Sequence, residues 1–194
     1  MQHKPFIITI VGPESSGKTT LARELASFYD APWVPEYARK YLEELGRPYE
    51  ENDLIRIAEG QLEAILAVLS KQSSVLTLPP GPLKGVNINL NEMEVHFGRS
   101  LHSFLTFQME EFGDEPRPLV IVDSGMMSLR MWARIKYGIT IPVVEHALKE
   151  DMTSLYLLTR PVPEWEADPL REAPSLLDRV WIYNHYLNEL SSVR

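Results

Sequence analysis

Gly12-Pro13-Glu14-Ser15-Ser16-Gly17-Lys18-Thr19 fits the pattern G-x-x-x-x-G-K-[ST], the Walker A loop. The context on both sides decides the reading. Ahead of it, Phe6-Ile7-Ile8-Thr9-Ile10-Val11 is apolar and β-branched, as in a buried strand. Behind it, Leu21, Leu25 and Phe28 recur at helical spacing. A strand, a glycine-bearing loop and a helix in that order form a phosphate cradle. The glycines let the backbone wrap closely with its N–H groups inward, and the helix adds the positive end of its dipole. Gly12, Glu14, Ser15, Ser16, Gly17, Lys18, Thr19 and Thr20 are therefore the candidate nucleotide-binding residues. Lys18 is expected to reach the β- and γ-phosphates of ATP, and the Thr19 hydroxyl to hold Mg²⁺.

The rest of the chain is consistent with a single domain over 1–194. Hydrophobic residues make up 44%, enough for a core, and the formal charge of −8 argues against a nucleic-acid or anionic-membrane surface. The positive site of the Walker loop is local and survives that balance. Cysteine is absent, which fits a reducing compartment, and no apolar run reaches the about 18 residues of a membrane span. No signal peptide is visible, so a cytoplasmic location is expected.

Along the chain, Trp33-Val34 between prolines reads as a short strand, followed by a helix through Tyr41, Leu42 and Leu45 with Gly46 as its stop. Asn52 or Asp53 is expected to cap the next helix, whose apolar positions run Leu54, Ile57, Ala58, Leu62, Ile65, Leu69. The pattern breaks over about 73–96, where Val75–Leu78 and Val86–Leu90 flank a Pro-Gly turn. This reads as an insertion (about 73–117 at its widest), containing a helix expected from about Met93 to Phe112. Pro118-Leu119-Val120-Ile121-Val122-Asp123 is a strand ending in an acid, the Walker B pattern, with Asp123 expected to orient Mg²⁺. Helices are expected from Ser128 to Gly138 and from Val143 to Glu150, then a strand over Thr153–Leu158. Alternating strands and helices give an α/β fold: a parallel sheet sandwiched by helices, with ligands at the strands' C-terminal ends.

Arg160–Glu172 is rich in proline and charge and has no core stripe. It reads either as a solvated loop or as a lid (about 160–173) whose Arg171, with Arg160, neutralises charge on a transferring phosphoryl group. The final helix is expected to bury Leu176, Val180, Tyr183, Leu187 and Leu190.

Several blocks together resemble one family. They are the loop Gly12–Leu21, Val34-Pro35-Glu36-Tyr37-Ala38-Arg39, Ile57-Ala58-Glu59-Gly60-Gln61, Trp132 with Lys136-Tyr137-Gly138, and Trp165-Glu166-Ala167-Asp168-Pro169-Leu170-Arg171. They look like the AAA-type ATP-binding domain of NadR-type nicotinamide riboside kinases, over most of the chain outside about 73–117. The resemblance implies a P-loop NTPase, nucleoside-kinase-like fold. It also implies transfer of the ATP γ-phosphate to the 5′-hydroxyl of nicotinamide riboside, giving nicotinamide mononucleotide. Three departures are visible. Bifunctional members carry an adenylyltransferase domain ahead of this one, and that activity is not expected here. Val122-Asp123-Ser124-Gly125 lacks the acid-Thr-Asp run common in the family. The chain also ends one helix past the lid, where the family usually adds a strand and a helix.

Phosphoryl transfer needs positioning and charge neutralisation, so Lys18, Glu36, Asp123 and Arg171 are the candidate catalytic residues. Glu36 reads as the base or orienter of the acceptor hydroxyl, or as a helix N-terminal acid favoured by the dipole. Arg39 reads as a substrate or phosphate contact, or as one half of a surface ion pair. Trp132 reads as a stacking face for a cationic pyridinium, or as core. Asp168 reads as a ribose ligand, or as a pin for the lid. Glu36, Tyr37, Arg39, Trp132, Trp165 and Asp168 form the expected wall for a small nucleoside substrate. Two rival readings stand beside this one: another nucleoside or nucleotide kinase, and a non-catalytic nucleotide-binding regulatory ATPase.

Overall fold

A computed structural model describes residues 5–71, 93–95, 118–150 and 153–192. Three apolar runs form its centre: β1 (Phe6–Val11), β4 (Leu119–Asp123) and β5 (Leu155–Thr159). With β2 (Trp33–Val34) and β3 (Met93–Val95) they make one sheet in the order β2-β4-β1-β5-β3. β1 pairs in parallel with β4 (Ile8 opposite Ile121) and with β5 (Ile10 opposite Leu157), and β2 pairs in parallel with β4. β3 runs antiparallel to β5.

Both faces of the sheet are covered, as continuous apolar strands require. Alternate residues of β1 separate the two cores. Phe6, Ile8 and Ile10 join Leu21, Ala22 and Leu25 of α1 (Lys18–Tyr29). On the other face Ile7, Val34, Val120 and Val122 meet the C-terminal half of α3 (Glu51–Lys71), while Val11 and Leu158 meet α6 (Leu176–Ser192). The N-terminal half of α3 packs with α4 (Met126–Trp132), its π-helical extension Ala133–Tyr137, and α5 (Pro142–Lys149). α2 (Tyr37–Leu45) ends at Gly46, whose left-handed φ of 67° suits a residue without Cβ. Among the described residues no helix is long and apolar enough to cross a membrane.

Three expectations need correction. The helix expected from Met93 is a strand over Met93–Val95, because the outer edge of β5 offers unpaired backbone groups that these residues satisfy. This edge strand comes from within the expected insertion. The remainder of that helix, with Val75–Leu78 and Val86–Leu90, lies outside the described residues. At α3, Asn52 and Asp53 lie inside the helix rather than at its cap. The buried Asp53 carboxylate instead reaches back to accept the Glu50 N–H at 2.7 Å, as the acid of a capping box does.

The third correction concerns α6. Tyr183 and Leu190 are buried as expected, but Leu176 and Val180 are each 38% exposed, and Arg179, Ile182 and Tyr186 are buried in addition. Arg179, 1% exposed, points its guanidinium under the lid. There it donates to the carbonyls of Val162 (2.7 Å), Glu164 (3.3 Å) and Pro163 (3.4 Å).

Candidate active site

The loop between β1 and α1 is shaped by positions where backbone approaches closely. A Cβ on Gly12 would lie 2.3 Å from Thr159 Oγ1 and 2.8 Å from the Thr159 carbonyl, at a φ of 144°, so only glycine fits there. The hydroxyls of Ser16 and Thr159 are hydrogen-bonded at 2.6 Å, which ties the loop to the end of β5. Ser15 adopts a left-handed φ of 55°. No side chain caps α1 at Gly17, so the first-turn amides and the helix dipole face the cavity. Lys18 Nζ donates to the Pro13 carbonyl at 2.7 Å, folded over the loop.

This loop forms one side of a cavity of about 480 Å³. Gly12, Glu14, Ser15, Ser16, Gly17, Lys18, Thr19 and Thr20 line it, and so do Glu36, Arg39, Trp132, Asp168 and Arg171 from distant parts of the chain. Asp123 lies behind this wall, with the Thr19 side chain near its carboxylate. Tyr37 and Trp165 are not among the lining residues. The Tyr37 ring lies against Gly60 of α3, and Trp165 lies beside Arg179 and Arg171, with guanidinium-to-ring distances of 5.3 and 5.9 Å. Arg39 pairs with Asp168 at 2.8 Å, bridging α2 to the lid.

Sequence reasoning missed several wall residues. Gln61, 2% exposed, accepts the Tyr37 N–H at 2.7 Å and so fixes the start of α2, just after Glu36. Tyr49, Ser124, Ser128 and Tyr186 also line the cavity. A polar residue inside the α3 stripe was the available signal for Gln61. The π-helical turn after Trp132 gave none.

The electrostatics of the cavity are unbalanced. Burial pulls the Lys18 ammonium below its ordinary value, against the opposing pull of Glu36, Asp123 and Glu14. Burial pushes the Glu36 carboxyl up, with Lys18 drawing it back. Asp123 is likewise raised by burial, offset by the nearby Thr19 hydroxyl and by Lys18. Glu36, Asp123 and Glu14 act on the Lys18 ammonium against the Arg171 guanidinium, and Asp123 Oδ1 is buried with no hydrogen-bond partner among the described residues. A hydroxyl beside a carboxylate with a spare buried oxygen is the donor set Mg²⁺ takes alongside phosphates and water. Thr19 and Asp123 fit that ion.

A family model described as AAA domain matches residues 7–77 and 92–194. Among curated proteins, none matches the chain. Two solved structures of NadR resemble the fold. The complex of NadR with NR superposes with a TM-score of 0.63 at 18% identity, covering 97% of this chain and 40% of that one. The complex with NAD and AMP-PNP gives a TM-score of 0.57 at 19% identity, covering 97% and 41%. The chain therefore spans about two fifths of the length of the NadR chains it matches. With the Walker loop, the parallel sheet and the family match in agreement, the chain belongs to the AAA-domain family and has a NadR-like P-loop NTPase fold.

Proposed function

We propose that this domain is an ATP-dependent small-molecule kinase that transfers the γ-phosphate of ATP to the 5′-hydroxyl of nicotinamide riboside. The observation that carries the reading is that one cavity holds both the loop lysine and Glu36, a carboxylate whose basicity burial has raised. Such a base suits an acceptor hydroxyl brought next to the γ-phosphate. The likeness to a fold seen with NR and with AMP-PNP supports the choice of ligands.

The chemistry follows from the charges. Loop amides and Lys18 hold the β- and γ-phosphates. Thr19 and Asp123 hold Mg²⁺, which when bound neutralises phosphate oxygens. Glu36 accepts the proton of the acceptor hydroxyl as its oxygen bonds to the γ-phosphorus and the bond to the β-phosphate oxygen breaks. ADP leaves with that electron pair. Arg171 on the lid meets the charge that develops on the moving group. Arg39 and Asp168 border the acceptor, and Trp132 offers a ring face to its cationic base.

Glu36→Gln keeps the shape and removes the base. It should cut kcat by about 10²–10⁴-fold and leave ATP affinity nearly unchanged. Trp132→Leu should weaken the cationic acceptor by about 0.5–2 kcal/mol, and an uncharged nucleoside of similar size by less. Full turnover by Glu36→Gln would remove Glu36 from the mechanism.

A further inference from the structure

We propose that Glu14 is a positioning residue: it latches the lid onto the phosphate loop and thereby sets Arg171 at the nucleotide. Glu14 lies in a loop built to wrap anions, where a carboxylate facing the phosphates would repel them. Glu14 also lines the cavity, but one of its oxygens is turned to the lid. Glu14 Oε2 accepts the N–H of Glu172 and the N–H of Ala173, each at 2.8 Å. The neighbouring Ser15 Oγ accepts the Glu166 N–H at 3.2 Å. The two amides held by Glu14 directly follow Arg171, a cavity residue whose guanidinium donates to the Glu166 carbonyl at 2.6 Å and reaches Ser15 Oγ at 3.5 Å.

The lid has no regular secondary structure of its own between β5 and α6, so its shape depends on its anchors. Arg179 grips its start through the carbonyls of Val162, Pro163 and Glu164. Glu14 grips its end. The segment between the two carries Trp165, Asp168 and Arg171. Hydrogen bonds to an ionised acceptor are the stronger kind, and two converging on one oxygen fix both the position and the direction of the chain there. The inference rests on the kinase reading above for what Arg171 does, though not for the latch itself.

Limited trypsin digestion of the full chain, read by mass spectrometry, tests the latch without any activity. The Arg171–Glu172 bond contains one of the two amides Glu14 holds, so cleavage there reports local opening. Glu14→Ala should raise cleavage after Arg171 about tenfold relative to cleavage after Lys71, equivalent to about 1.4 kcal/mol. Glu14→Gln, which keeps a carbonyl oxygen as acceptor, should fall between. In steady-state assays Glu14→Ala should lower kcat about tenfold with the KM for ATP shifted less than about twofold. In an Arg171→Ala background it should lower kcat no further. Unchanged cleavage after Arg171, or independent losses in the double variant, would overturn the proposal. If the wild-type chain transfers no phosphate, the kinase reading fails instead, and the protease result alone decides whether the latch exists.

Discussion

Gly60 sits inside α3, where alanine would ordinarily stabilise a helix by about 0.8–1 kcal/mol. Its surroundings reverse that expectation. A Cβ at position 60 would lie 2.3 Å from two carbons of the Tyr37 ring and 2.7 Å from a third, so the ring has to move. Overpacking of this kind costs about 1–3 kcal/mol, which outweighs the propensity gain. Gly60→Ala should therefore lower stability by about 1 kcal/mol. In a Tyr37→Ala background the obstruction is gone and only propensity remains. There the same substitution should raise stability by about 0.5–1 kcal/mol. The four proteins can be compared by urea denaturation followed by circular dichroism, with constant m-values as the condition for reading midpoints as stability. Because Tyr37 follows Glu36 directly, Gly60→Ala should also depress kcat while nucleotide binding persists. If alanine at 60 stabilises both backgrounds equally, the ring does not sit on Gly60 and this account of how α2 is positioned is wrong.

Further outcomes follow from the buried charges. Arg47 donates to both oxygens of Asp53, at 2.8 and 3.0 Å, and together with the Glu50 amide and Tyr41 holds the carboxyl well below its ordinary value. A depressed folded value means stability that is present above the unfolded value of about 3.9 and lost as pH falls through the folded one. Asp53→Asn should therefore be less stable than wild type at pH 7, with the gap closing under acid conditions in thermal melts. Arg179→Met keeps bulk but leaves three lid carbonyls without their donor, and should cost about 2–4 kcal/mol in denaturant titrations. Lys18→Ala should weaken ATP binding in calorimetry and abolish transfer, since no other side chain of the Gly12–Thr19 loop carries a positive charge.

The features legible in the sequence were those written in contiguous residues. The loop Gly12–Thr19, the strands around it and Asp123 at the end of β4 carry their signal locally. Residues whose place depends on long-range packing were not legible in this way. Arg179 was not among the residues expected to be buried in α6, because an arginine is buried only where acceptors such as the lid carbonyls meet it. Gln61 and Tyr186 are cavity residues because of what crosses them. Met93–Val95 fitted a helical pattern, and the open edge of β5 decided otherwise. Tyr37 belonged to a block of family resemblance, yet its ring serves the α2–α3 contact with Gly60. Glu14 looked like one more residue of the phosphate loop, and only its partners Glu172 and Ala173, more than 150 positions away, give its side chain another direction.

The central claim is tested most directly by incubating the protein with Mg·ATP and nicotinamide riboside and following products by mass spectrometry. The account predicts nicotinamide mononucleotide and ADP in equal amounts from wild type, and neither from Lys18→Ala. ADP without a phosphorylated acceptor, or phosphorylation of a different nucleoside while nicotinamide riboside stays untouched, would contradict it.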